Sequence, residues 1–150
     1  MTEPTTTPSA DAPATAAPAV RAAGAAAVTA AAILDALVVL IFAALGRSAH
    51  AEATTLAGLW ETAWPFLAAL ALVWLAGAVW RRPAAILRSG LPVWIGTVAL
   101  GMLARVLFTD GGAALPFVLV ATGTLGLGLL GWRAIRLLAR SITEGRARSN

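Results

Sequence analysis

The chain of 150 residues contains no cysteine, tyrosine or lysine, and a single histidine. The absence of cysteine excludes disulfides, thiol redox chemistry and thiolate metal sites. Without lysine, no Schiff base to retinal or pyridoxal can form on this chain. One histidine among scattered acids is too small a donor set for a metal centre, so neither metal nor cofactor is expected. Charge is also scarce: Asp, Glu, Lys and Arg make up 12% of the chain, about half the usual share in soluble domains. What is abundant is apolar, at 59% of residues. This is the composition of one small integral membrane domain. The positive charge is all arginine and gives a net charge of +4. Because these arginines flank apolar runs, they read as topology signals and headgroup contacts, and nucleic acid is not an expected partner.

Residues 1–24 are rich in Ala, Pro and Thr and have no apolar periodicity, so they are expected to be a disordered tail. Glu3 and Asp11 occupy the region where a secretory signal would be basic. Four apolar stretches follow, near residues 25–45, 62–80, 91–108 and 114–132. A bilayer crossing needs about 20 residues, so the chain is expected to be an all-α four-helix transmembrane bundle over residues 25–133. Pro65, Pro92 and Pro116 would each stand in a first helical turn, where an amide without a partner is lost at no cost. Trp60 and Trp64 fall at one end of the second span and Trp80 at the other, while Trp132 closes the fourth, as in an interfacial aromatic belt. Trp74 and Trp94 lie deeper. Residues 134–150 form a basic cytoplasmic tail, and the run from Arg133 is expected to continue as a short amphipathic helix with Arg133, Arg136 and Arg140 on one face.

Arginine counting sets the orientation. Arg21, Arg81, Arg82, Arg88, Arg133, Arg136, Arg140, Arg146 and Arg148 would share one side, against Arg47 alone on the other. The positive-inside rule then puts both termini in the cytoplasm. The Ala/Arg-rich, lysine-free composition points to a GC-rich bacterial genome, and so to a bacterial plasma membrane.

Two charges lie inside the spans, Asp35 in the first and Arg105 near the end of the third. A charge at membrane depth costs roughly 2.5–3.5 kcal/mol and usually meets a partner or a cavity. Arg105 continues the face of Thr97 and Gly101 at spacings of four, and small residues mark helix contacts in lipid. At about 1.5 Å per residue the two charges differ in depth by about 6 Å, within an arginine's reach. An Asp35–Arg105 pair is therefore expected. It could be a clamp between helices or a solute or proton site; alternatively, Arg105 turns outward. Arg47, His50 and Trp64, with Glu52, Glu61 and Asp110, gather at the outer ends of the spans as further binding candidates. No GxSxG, HExxH or phosphate-binding loop is present, and no catalytic residue is expected; the chain does not read as an enzyme.

The segments ILDALVVLIFAALGRSAH, TAWPFLAAL, RPAAILRSGLPVWIGTVALGMLARVLF and PFVLVATGTLGLGLLGWR resemble the family known as domain of unknown function 3054, small membrane proteins of actinobacteria and haloarchaea. The resemblance covers about residues 30–133. Its recurring features are here Asp35, Gly46-Arg47, His50, Trp64-Pro65-Phe66, Gly90, Trp94, Gly101, Arg105 and Trp132-Arg133. It implies a four-helix inner-membrane protein and no particular activity. Two functions remain open. One is a binding or transport module for a small solute or proton; the other is a structural or accessory subunit of a membrane complex. Expected partners are the lipid bilayer and either a second copy of the chain or another membrane protein.

Overall fold

The computed structural model of the chain describes residues 16–49 and 55–148. Four long helices account for most of them: α1 (Ala16–Ala49), α2 (Leu56–Ala76), α3 (Leu91–Phe108) and α4 (Leu115–Arg148). Among the described residues there is no strand. Each helix packs on its sequence neighbours, and α4 closes back on α1, so the four form a ring in which α1 and α3 are diagonal. All four are long and apolar enough to cross a membrane. Only 22% to 33% of each apolar window is buried, so most of the apolar surface faces outward.

Three helix boundaries differ from the sequence expectation. First, α1 begins at Ala16, so residues 16–24 are helical rather than part of a disordered tail; Pro18 falls in the first turn, where it is tolerated. Residues 1–15 and His50 lie outside the described residues. Second, α2 begins at Leu56 rather than near 62. Thr55 caps it by accepting a hydrogen bond from the Gly58 amide at 3.2 Å, a contact of about 1 kcal/mol. Pro65 is consequently an interior residue, fully buried, and not a first-turn proline. Third, α4 runs without a break through the region expected as a tail. The 21 residues of α2 span about 31 Å, close to the hydrocarbon thickness of a bilayer. The 34 residues each of α1 and α4 span about 51 Å and extend beyond it. Pro92 and Pro116 do stand at helix starts.

The core is aromatic where α1, α2 and α4 converge. Phe42 and Phe66 meet edge-on at 5.2 Å between ring centroids, and Phe117 lies 5.8 Å from Phe42. Gly101 lets α3 close on this cluster, because a Cβ there would overlap the Phe66 ring. Trp94 packs between helices, its indole N–H donating to the Thr122 carbonyl at 2.9 Å.

The connection from α2 to α3 is tightly folded. Gly77 ends α2, and Ala78 adopts the left-handed conformation at φ 46°, a strain of about 1–2 kcal/mol for a residue with a Cβ. A short 3-10 turn, Val79–Arg81, plugs into the core through Val79. A wider π-helical turn, Ile86–Gly90, then leads directly into α3.

Candidate functional site

On α1, Ala31, Asp35, Val39 and Ala43 are completely buried at spacings of four, so they form one inward face. On α4, Ala121, Leu125, Leu129 and Arg133 do the same. Asp35 and Arg133 meet where these two faces cross. The guanidinium grips the carboxylate with both arms: Nη1 donates to Oδ1 and Nη2 to Oδ2, each at 2.7 Å. Such forked, charge-assisted bonds are the strongest in the protein repertoire.

Two indoles complete the carboxylate's shell. Trp132 donates to Oδ1 at 2.9 Å and Trp74 to Oδ2 at 3.0 Å, so each oxygen accepts one arginine and one tryptophan hydrogen bond. Arg133 is held equally well. Its Nε donates to the Pro83 carbonyl at 3.0 Å and its Nη1 to the Leu129 carbonyl at 2.6 Å. Its guanidinium also lies 4.4 Å from the Trp132 ring centroid, a cation–π distance. Gly90 makes room for the arginine stem, since a Cβ there would stand 3.0 Å from its Cδ. Helices α1, α2 and α4 and the α2–α3 connection thus converge on one ion pair.

Asp35 is therefore paired with Arg133, and the expected Asp35–Arg105 pair does not form. Their helices are diagonal in the ring, whereas α1 and α4 are neighbours. Trp74, one of Asp35's partners, stands two residues from the last residue of α2, so the pair lies toward the α2–α3 connection.

Arg105 serves the opposite end. Its Nε donates to the Gly112 carbonyl at 2.9 Å and its Nη2 to the Gly111 carbonyl at 3.3 Å, while its guanidinium covers the Phe117 ring at 4.3 Å. The Thr109 hydroxyl returns a bond to the Arg105 carbonyl at 2.7 Å. The α3–α4 turn is wrapped around this arginine, and Gly112 supplies the positive φ of 59° that the turn requires.

Arg105, Arg47 and Trp64 line one pocket of about 350 Å³ with Glu61, Thr62 and Asp110. Three of the five sequence candidates thus come together at the α3–α4 end. Asp35 lies elsewhere, about 18 Å from Arg47 by the helical rise along α1. Arg47 reaches across to the Gly58 backbone, which has no side chain to obstruct it. Among the described residues, no three His, Cys, Asp or Glu side chains are grouped as they would be to hold a metal.

Sequence reasoning passed over Arg133, Trp132 and Trp74 as partners of Asp35. The signal was present. Arg133 continues the ridge of Ala121, Leu125 and Leu129 at spacings of four, as Arg105 continues that of Thr97 and Gly101. Its side chain leans back toward its helix's N-terminus, and so toward the middle of the bundle.

A family model described as Protein of unknown function (DUF3054) matches residues 32–136, more than two thirds of the chain. The match takes in both the buried pair and the pocket at the α3–α4 end. No curated protein and no solved structure matches the chain.

Proposed function

The chain belongs to the DUF3054 family of proteins of unknown function, and from that premise we propose that it is a plasma-membrane protein that binds a small zwitterionic solute at its outer pocket. In this reading the Asp35–Arg133 pair is a structural lock. The observation that carries the reading is that both signs of charge line one open pocket, whereas the Asp35–Arg133 pair is closed off. Both oxygens of Asp35 are doubly bonded by donors and fully buried, so no hydrogen-bonding position remains for a solute or a proton. The outer pocket instead offers two guanidiniums and two carboxylates around about 350 Å³, a volume suited to a small molecule. Balanced charge favours a solute that carries both signs. Trp64 adds an apolar wall that also attracts a cationic group.

The nine-to-one distribution of arginines supports a bacterial membrane location with both termini cytoplasmic and this pocket on the outside. Reporter fusions at the C-terminus and in the 109–113 turn test it; a C-terminal fusion active outside the cytoplasm ends this orientation. Binding is tested by melting the purified chain in detergent with amino-acid zwitterions, simple anions and simple cations. Zwitterions should raise the melting temperature, and Glu61→Gln should abolish the effect. If no class of solute shifts the wild-type chain, the pocket reading fails. The alternative, an accessory subunit of a membrane complex, then gains from the same lock, which is a device for rigidity.

A further inference from the structure

The end of the bundle that holds the α2–α3 connection has a cavity of its own, of about 520 Å³. Its walls come from three elements: Gly24, Ala27 and Val28 of α1, residues 80–85 of the connection, and one face of α4. Arg81 and Arg82 enter from the connection, Arg136 and Arg140 from α4, and no carboxylate is among the lining residues. None of these four guanidiniums has a hydrogen bond or ion pair within the described residues. The nearest acid along α4 is Glu144, one turn past Arg140, and it lines a separate groove that shares Arg136 and Arg140.

Four like charges around one space repel each other, and among the described residues no carboxylate lines that space. An anion from outside would relieve that repulsion. The remaining walls are apolar, among them Val28, Leu137 and Trp80, the last 43% exposed. The cavity lies just past the end of α2, whose length matches a bilayer core, and so at headgroup level. We propose that it binds the phosphate of an anionic phospholipid, with the glycerol and upper acyl carbons against the apolar walls. A zwitterionic lipid fits poorly, because its ammonium would meet four guanidiniums and no acid. The site is also joined to the lock: Pro83 lines the cavity, and its carbonyl accepts the Arg133 Nε hydrogen bond. Lipid seated there therefore steadies the segment that holds Arg133. The proposal rests on the membrane reading above and is independent of the outer pocket.

The test uses the full chain, delipidated in neutral detergent, with its melting temperature followed as phosphatidylglycerol, phosphatidylcholine or inorganic phosphate is added. Phosphatidylglycerol should raise it saturably, while the other two leave it unchanged at equal concentration. The double change R136Q/R140Q should raise the half-saturating phosphatidylglycerol concentration about thirtyfold, the expected loss for two interfacial arginines. R81Q/R82Q, which alters the connection rather than the helix, gives an independent reading with the same expected direction. R88Q, a basic residue outside the cavity, should leave the response intact. Equal responses to both lipids would overturn the proposal, as would no response to phosphatidylglycerol. A response to phosphate alone would make the occupant a soluble anion, and a loss in R88Q as large as in R136Q/R140Q would reduce the site to diffuse charge.

Discussion

The two ends of the helix ring use arginine in opposite ways. At the α2–α3 end, Arg133 is completely buried and bonded to a carboxylate, two backbone carbonyls and an indole face. At the α3–α4 end, Arg105 is only half-buried, ties down a turn through two carbonyls and borders an open pocket. The difference shows what burial demands of a charge. A guanidinium removed from solvent is tolerable only when its donors and its counter-ion are nearly all satisfied. One at the rim can leave part of its surface to a ligand or to water.

The sharpest way to break this comparison is to remove the lock's charges singly. Asp35→Asn and Arg133→Gln should each cost about 3–5 kcal/mol, because each strands a buried charge. The double variant should recover part of that loss, as read by denaturation in detergent. Equal and additive losses would mean the pair is not closed in solution. Arg105→Gln should cost less, about 1–3 kcal/mol, since its carbonyl partners can turn to water. Combined with Asp35→Asn it should be additive within about 0.5 kcal/mol, because the two residues share no partner. Coupling between them would revive the Asp35–Arg105 pairing.

A finer division separates the two indoles of the lock. Trp132→Phe should cost about 1.5–3 kcal/mol, for a lost hydrogen bond to a carboxylate, plus a share of its cation–π contact. Trp74→Phe loses the hydrogen bond and some packing against the core but no cation–π contact, and should cost less, so reversed ranking would contradict the stacking of Arg133 on Trp132. The smallest effect concerns Thr97, completely buried on α3 with a hydroxyl that has no hydrogen-bond partner. Thr97→Val should stabilise by about 1 kcal/mol, because it removes an unsatisfied polar atom at nearly constant shape. A loss of stability would show that the hydroxyl is satisfied in the membrane.

Much of the architecture was legible before any coordinates, and the reason is specific to lipid. Backbone groups in a bilayer core must bond within their own segment, so twenty apolar residues can hardly be anything but a helix. The third and fourth spans start at Leu91 and Leu115 as Pro92 and Pro116 indicated. The second span misled, because Pro65 imitates a start signal while Thr55 is the actual cap. Proline inside a helix is tolerated where neighbouring helices cover it, and Pro65 is fully buried.

Composition and hydropathy were enough for a helical chain with four apolar spans and for a partner to Asp35, since both act locally and a lipid environment leaves few alternatives. Position along the spans also put Arg47 and Trp64 at one end, but it sent Arg105 toward Asp35 instead of to them. The folded chain alone chose who meets Asp35. Depth and spacing allowed Arg105 and Arg133 alike; the choice came from the order of helices around the ring, which sets α4 beside α1 and α3 across from it. That order depends on side-chain packing between segments 24 to 75 residues apart, at Phe42, Phe66 and Phe117 and at Gly90 against Arg133, and no local pattern encodes it.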